Sequence, residues 1–291
     1  MPADLVSVLS DHACELGEGP SYDPVSDTLY WFDIVNGLLL EKRFGEDRTM
    51  TTQLGQMASA QATIDGERQL ILTETGLHVR DRTTGRMALH TAVEASNIAT
   101  RSNDARVHPC GALWFGTMGK QAEASAGRVY WFFRGELREL YAGISIPNSI
   151  AFSADGTVAY YADTAVRRIM RVACNTRTGM PEGEPKVFAE SQGEGSFDGS
   201  VVDADGTLWN ARWGEGRLAA YTPDGKLVRS VPLPVSQPSC PAFVGKHADR
   251  LAVTSAWIDL SDEARHAQPD AGRTFLVDLP VKGRLEPDVL I

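Results

Sequence analysis

The sequence predicts an all-β chain, a six-bladed β-propeller with four antiparallel strands per blade, and three observations carry that prediction. Short apolar or aromatic strands follow a turn signal six times, in "SDTLYWFD", "DGERQLILTE", "PCGALWFGT", "ADGTVAYYAD", "ADGTLWNAR" and "HADRLAVTS". The turn residues Asp27, Gly66, Gly111, Gly156, Gly206 and Asp249 stand 39 to 50 residues apart. Long helical periodicity is nearly absent. A repeat of about 45 residues is the length of one four-stranded propeller blade. A β-sandwich, the main rival, requires no such period.

The remaining elements fill in around these hairpins. Further strand pairs lie in "GLHVRDRTTGRMALH", "RVYWFFRGELRELY", "RIMRVACNTRTGMPEGEPKVF" and "RLAAYTPDGKLVRSVPLP". Their alternating polar and apolar residues flank Thr-Gly, Arg-Gly or Asp-Gly turns, a hairpin signature. The N-terminal "DLVSVLS" is expected to pair beside "AGRTFLVDLP" in the last blade, closing the ring and removing an open sheet edge. The best helix candidate is the short "LSDEARHA". One domain over residues 1–291 is expected, with no internal linker.

Bulk properties narrow the function. A net charge of −10 argues against nucleic acid or anionic lipid as the main partner, because both select clustered Lys and Arg. No apolar run approaches the ~20 residues needed to cross a bilayer. The start, "MPADLVSVLSDHACELGEG", lacks the basic and apolar segments of a secretory signal. Cys14, Cys110, Cys174 and Cys240 are widely spaced without a C-x-x-C, so they read as buried or incidental thiols in a reducing cytoplasm, with no disulfide or zinc site expected. With no heptad or long apolar edge, a monomer or weak homo-oligomer is expected.

The stretch "SFDGSVVDADGTLWNARWGEG" is rich in acids, yet it is no EF-hand loop. That loop needs Gly sixth and Glu twelfth. Counted from Asp203 those positions hold Leu208 and Gly214, and from Asp198 they hold Asp203 and Trp209. A different pattern emerges on counting back from each hairpin turn. Asn103, Asn148 and Asp198 each lie 8 residues before their turn glycine, and Glu18 lies 9 before Asp27. Four blades therefore place an oxygen-bearing side chain where the channel-lining strand begins, while the other two offer small or apolar residues around Ala58 and Pro241.

Such groups are costly to bury together unless they bind something. Two carboxylates and amide oxygens suit one divalent cation, Ca²⁺, Mg²⁺ or Mn²⁺, with Zn²⁺ possible. Each residue could instead cap its own turn, but the shared register favours a joint site, with Asp203 and Asp205 left to the turn. Asp33, Thr117, Asp163 and Arg212, near the far end of the returning strands, are candidates for supporting contacts or for a solvated rim. Arg101 either reaches the same space or sits on the surface, and Trp213 either walls the site or packs between blades.

These residues resemble the family of regucalcin (senescence marker protein) and gluconolactonase. "ELGEGPSYDP", "RSNDARVHPCGALWFGTMG", "IPNSIAFSADG" and "FDGSVVDADGTLW" are similar to its four ordered motifs, and "HAQPDAGRTFLVD" to a late segment. The resemblance covers nearly the whole chain. It implies a six-bladed propeller that hydrolyses sugar lactones, such as glucono- or pentonolactone, with one divalent metal. It implies Glu18, Asn148 and Asp198 as metal ligands, Asp198 also as general base, and Arg101 and Asn103 as substrate-binding residues. Departures include Ala105 and Ser149 where Gly is usual, Phe197 for Pro and His108 for Asp. Gln121 stands where many relatives carry an acid that contacts substrate, with Glu123 nearby, so the loop from Gln121 to Gly127 is expected to cover the site and set lactone preference.

Other chemistries lack their motifs. There is no G-x-S-x-G elbow and no complete G-x-G-x-x-G. None of His12, His78, His90, His108, His247 and His266 shows H-E-x-x-H spacing. Two alternatives remain open, an esterase acting on other esters in the manner of paraoxonase-like propellers and a non-enzymatic calcium-binding protein.

Overall fold

The computed structural model describes residues 5–291, which form six four-stranded antiparallel sheets arranged as the blades of a propeller. Blade 1 runs Gly17–Asp23, Thr28–Asp33, Leu38–Arg43 and Met50–Gln53. Blade 2 is Ala58–Thr63, Arg68–Thr73, Gly76–Asp81 and Met87–Ala92, and blade 3 is Thr100–Val107, Leu113–Gly119, Gly127–Phe133 and Glu136–Ile144. Blade 4 is Pro147–Phe152, Val158–Asp163, Arg168–Cys174 and Pro181–Glu190, and blade 5 is Ser196–Val202, Leu208–Trp213, Arg217–Tyr221 and Leu227–Pro232. Blade 6 joins Pro238–Val244, Arg250–Ser255 and Thr274–Val277 to the N-terminal strand Val6–Ser10. That pairing is the expected ring closure; Asp4, at the start of the predicted segment, lies outside the described residues. The short helix Asp262–Ala267 begins at Ser261, whose side chain accepts the Ala264 N–H.

The repeat folds this way because each blade has two apolar faces to cover, as blade 3 packs Trp114 toward blade 4 and Phe115 toward blade 2. Trp31, Phe32, Trp114, Phe115, Phe132, Phe152 and Phe275 are fully buried. They belong to clusters that span neighbouring blades, such as Trp114 and Trp131 of blade 3 with Phe152 and Tyr161 of blade 4. Each such side chain contributes about 1.5–3 kcal/mol through burial. Two buried indoles also use their N–H groups: Trp114 Nε1 donates to Gly179 O at 2.8 Å and Trp131 Nε1 to Thr178 O at 2.7 Å, tying blade 3 to blade 4. No helix among the described residues is long and apolar enough to cross a membrane.

Two features were not foreseen from the sequence. First, the innermost strand of every blade carries a register irregularity near its start, between Glu18/Ser21, Ala58/Ala60, Ser102/Ala105, Asn148/Ala151, Phe197/Ser200 and Pro238/Pro241. Bulges of this kind bend a strand and re-aim its side chains. Second, the C-terminal segment crosses the face opposite those strand starts. It bonds to Ala204, Ala248, Gly111 and Thr63 through Lys282 O and the N–H groups of Gly283, Leu290 and Val289. From this strap Glu286 reaches in to pair with Arg106 of blade 3.

The bulge in blade 1 fixes one glycine. Gly19 has φ +57°, and a Cβ there would lie 1.9 Å from Ser59 O on blade 2. Gly19→Ala should therefore lower the melting temperature and disturb the position of Glu18 together, read by thermal unfolding and by metal affinity on one preparation. Unchanged values for both would show that the two inner strands can separate without consequence.

Candidate metal and lactone site

Glu18, Asn103, Asn148 and Asp198 come from the first halves of four inner strands, on blades 1, 3, 4 and 5. The bulges let them face the axis together. Asn103 Nδ2 donates to Asn148 Oδ1 at 2.9 Å and to Pro147 O at 2.9 Å. Arg101 Nη1 donates to Asn103 Oδ1 at 2.7 Å. The Glu18 and Asp198 carboxyls lie within hydrogen-bonding reach of each other. These five side chains, distant in sequence, are therefore one constellation, and each is between 3% and 9% exposed.

A second layer holds them. Asn148 Nδ2 donates to Thr164 Oγ1 at 2.8 Å, and that hydroxyl donates to Phe197 O at 2.8 Å, next to Asp198. Ser149 Oγ donates to Asp198 O at 2.5 Å, and Asn210 Nδ2 reaches the same carbonyl at 2.8 Å. Ser149 has φ +54°, the conformation that glycine adopts most readily, so its hydroxyl bond compensates for a strained backbone. Blades 4 and 5 are thereby joined beside Asp198.

The supporting residues expected from sequence do other work. Asp33 accepts the N–H groups of Glu15 and Leu16, and Asp163 those of Ser145 and Ile146, so both carboxylates anchor the chain entering their blade. Thr117 donates to Glu94, and Arg212 pairs with Glu215 while lying 4.1 Å over the Phe197 ring. Trp213 packs, half-buried, against the cluster containing Leu16, Ile34 and Ala256. Asp203 accepts from Asp205 N, Thr207 N and Trp209 Nε1, as a turn residue should. Gln121 is exposed on its loop, its N–H donating to Glu123 Oε2 at 3.1 Å, and no hydrogen bond among the described residues ties its side chain to the constellation.

Asp104 and Arg106 are charged neighbours of the constellation that the register count passed over. Asp104 is 3% exposed and accepts the Ile150 N–H at 2.7 Å and the Ala105 N–H at 2.9 Å. Its adjacency to Asn103 was visible, but alternation along a regular strand would turn it away; the bulge is what brings it in.

Electrostatics mark the constellation as strained without a cation. Burial, then the Asp104 carboxylate, pushes Glu18 up to about 8, against the pull of the Gly19 N–H, Arg101 and Arg106. Asp198 is raised well above its ordinary value by burial, then by Glu18 and Asp104. Burial, then an opposing pull from Arg106, leaves Asp104 at about 6. Burial lowers Arg101 to about 10, with Glu18 and Asp198 resisting. Two buried carboxyls in mutual contact beside an amide oxygen form a hard donor set that a divalent ion would satisfy.

The family described as "SMP-30/Gluconolactonase/LRE-like region" matches residues 16–257, which include every residue of this constellation. The chain is 36% identical to the L-arabinolactonase of Azospirillum brasilense over 94% of this chain and 92% of the relative. It is 29% identical to a pentonolactonase of Haloferax volcanii over 97% of both. A crystal structure described as a calcium-binding protein, regucalcin, from Agrobacterium tumefaciens superposes with a TM-score of 0.96 at 47% identity, covering 98% of this chain and 97% of that one. With six blades, this constellation and these matches in hand, the chain belongs to the SMP-30/gluconolactonase/LRE-like family.

Proposed function

We propose that the protein hydrolyses a sugar lactone to its aldonic acid with one divalent cation, held by Glu18, Asn148 and Asp198. The observation that carries this reading is the convergence of two carboxyls and an amide oxygen from three blades, with Arg101 and Asn103 beside them. A cation bound there would supply positive charge for the lactone carbonyl oxygen. Asp198 takes the proton of the attacking water as general base. Arg101 and Asn103 hold ring hydroxyls and stabilise the developing oxyanion. The fixed carbonyl of Asp198, bonded by Ser149 and Asn210, keeps that base oriented. The four cysteines are free thiols, three of them buried, which fits a reducing compartment.

The test is acid release from a panel of aldonolactones with each divalent metal in turn. Turnover that disappears with a chelator and returns with metal supports the reading. Full turnover by the chelated protein, or hydrolysis of simple esters but no lactone, would refute it. The calcium-binding description of the Agrobacterium structure favours a second, non-catalytic reading; metal binding without turnover on any lactone would select it. Within the panel, Gln121→Ala should change the order of lactone preference, because this exposed loop residue is proposed to contact the far side of the sugar. An unchanged order would remove Gln121 from substrate recognition.

Metal binding should also depend on pH. A carboxyl whose folded pKa is raised binds its proton more tightly folded than unfolded, so the metal-free protein loses stability as pH rises from the ordinary 4.5 of Glu18 toward about 8. A cation competes with that proton, so the gap in melting temperature between metal-loaded and chelated protein should widen from pH 6 to pH 8. A gap independent of pH would contradict ligation by Glu18.

A further inference from the structure

We propose that His12, Cys14 and Asp33 form a second metal site, separate from the axial one, that takes a zinc-class transition-metal cation. One donor atom from each, an imidazole nitrogen, the thiol sulfur and a carboxylate oxygen, lie within 4.8 Å of one another. Cys14 and Asp33 are buried and His12 is half-buried. A sulfur, nitrogen and oxygen set of this kind prefers Zn²⁺ or Co²⁺ to Ca²⁺ or Mg²⁺, which take oxygen ligands. Solvent would supply the fourth position.

Asp33 already has structural duties, and they leave room. Its Oδ2 accepts from Glu15 N and the Asn36 amide, whereas Oδ1 accepts from Leu16 N at 3.2 Å. One lone pair of Oδ1 is free for a cation. Blade 4 provides the control. Asp163 accepts the N–H groups of Ser145 and Ile146 as Asp33 accepts those of Glu15 and Leu16. The positions equivalent to His12 and Cys14 hold Ala142 and Ile144 there. Anchoring the entering chain therefore needs neither an imidazole nor a thiol.

Trp31 is an independent pointer to a ligand. Its indole is fully buried, and its Nε1–H has no hydrogen-bond partner among the described residues. The group it faces is the Cys14 sulfur. By contrast Trp114, Trp131 and Trp209 each donate to an oxygen. A thiol is a weak acceptor, but a metal-bound thiolate accepts N–H donors well and is commonly held by them. On binding, Cys14 releases its thiol proton to solvent as the sulfur–metal bond forms, and the thiolate becomes a stronger acceptor for the Trp31 N–H that faces it.

The location gives the site a purpose. His12 and Cys14 lie on the segment that leads from Val6–Ser10 in blade 6 to Gly17–Asp23 in blade 1, and Asp33 ends the second strand of blade 1. A cation bridging them clamps the crossing where the ring closes.

Cobalt titration of the metal-stripped protein tests this directly, because a thiolate ligand gives a near-ultraviolet charge-transfer band that the all-oxygen axial site cannot produce. The wild type should show that band, saturating by two equivalents because the axial site also takes cobalt. It should be retained in Cys110→Ser, Glu18→Gln and Asp198→Asn, lost in Cys14→Ser, and shifted at least about tenfold in metal concentration in His12→Ala. Zinc should raise the melting temperature of Asp198→Asn more than that of Asp198→Asn/Cys14→Ser. If Cys14→Ser fails to fold, the His12→Ala titration carries the test, since His12 is half-exposed on a loop. Absence of a thiolate band in the wild type, or an unaltered titration in His12→Ala, would overturn the proposal. Because the band reads the sulfur and not turnover, its fate is independent of the lactonase reading.

Discussion

Asp198→Asn is expected to lower aldonolactone turnover by about 10²- to 10⁴-fold, the range removed with a general base, while raising the melting temperature of the metal-free protein. The two effects share one cause. Asp198 and Glu18 are buried carboxyls, Glu18 raises the proton affinity of Asp198, and the Asp104 carboxylate adds to both. The amide keeps the shape and the Oδ1 ligand but removes a proton acceptor and one of the opposed charges. The backbone of Asp198 is bonded through its carbonyl by Ser149 and Asn210, contacts the substitution does not touch. Acid release and thermal unfolding on one chelated and one metal-loaded sample read both signs. Turnover near wild type would remove Asp198 as the base, and a lower melting temperature in chelator would contradict the like-charge pair.

Glu286→Ala should destabilise the fold by about 3–5 kcal/mol, the cost of leaving a buried ionic partner uncompensated. Arg106 is 5% exposed, is hydrogen-bonded to Glu286, and otherwise has Ser200 O at 3.3 Å and the Cys240 sulfur as neighbours. Without Glu286 its nearest charge partner is Asp104, so the loss should also shift metal affinity at the axis. The double variant Arg106→Met/Glu286→Leu should recover most of the stability, because well-packed apolar residues can replace a buried pair at little cost. Urea unfolding of the three proteins tests this. A single variant within about 1 kcal/mol of wild type, the scale of an exposed pair, would show that Arg106 does not depend on Glu286 for its compensation.

The blades were legible because each hairpin announces itself locally, through a turn residue and an alternating strand. The axial residues were legible for a related reason: equal distance from the turn places Asn103, Asn148 and Asp198 at matching heights. What escaped depends on geometry that composition does not encode. The bulges near Ser102 and Asn148 turn Asp104 and Ser149 inward, against simple alternation. The Arg106–Glu286 pair joins residues 180 apart, in a tail without a strand pattern. Asp33 and Asp163 looked like supporting residues of the axial site by their distance from the turn, yet each holds backbone N–H groups of the incoming chain. A carboxylate at a strand end serves either purpose equally well on paper.

The most direct measurement of the central claim is an anomalous difference map from crystals grown with manganese, together with lactone turnover of the same preparation before and after chelation. The account predicts a peak ligated by the Glu18 and Asp198 carboxylates and the Asn148 amide oxygen, and turnover that vanishes with it. No peak at that position, or a peak elsewhere while turnover survives chelation, would contradict it.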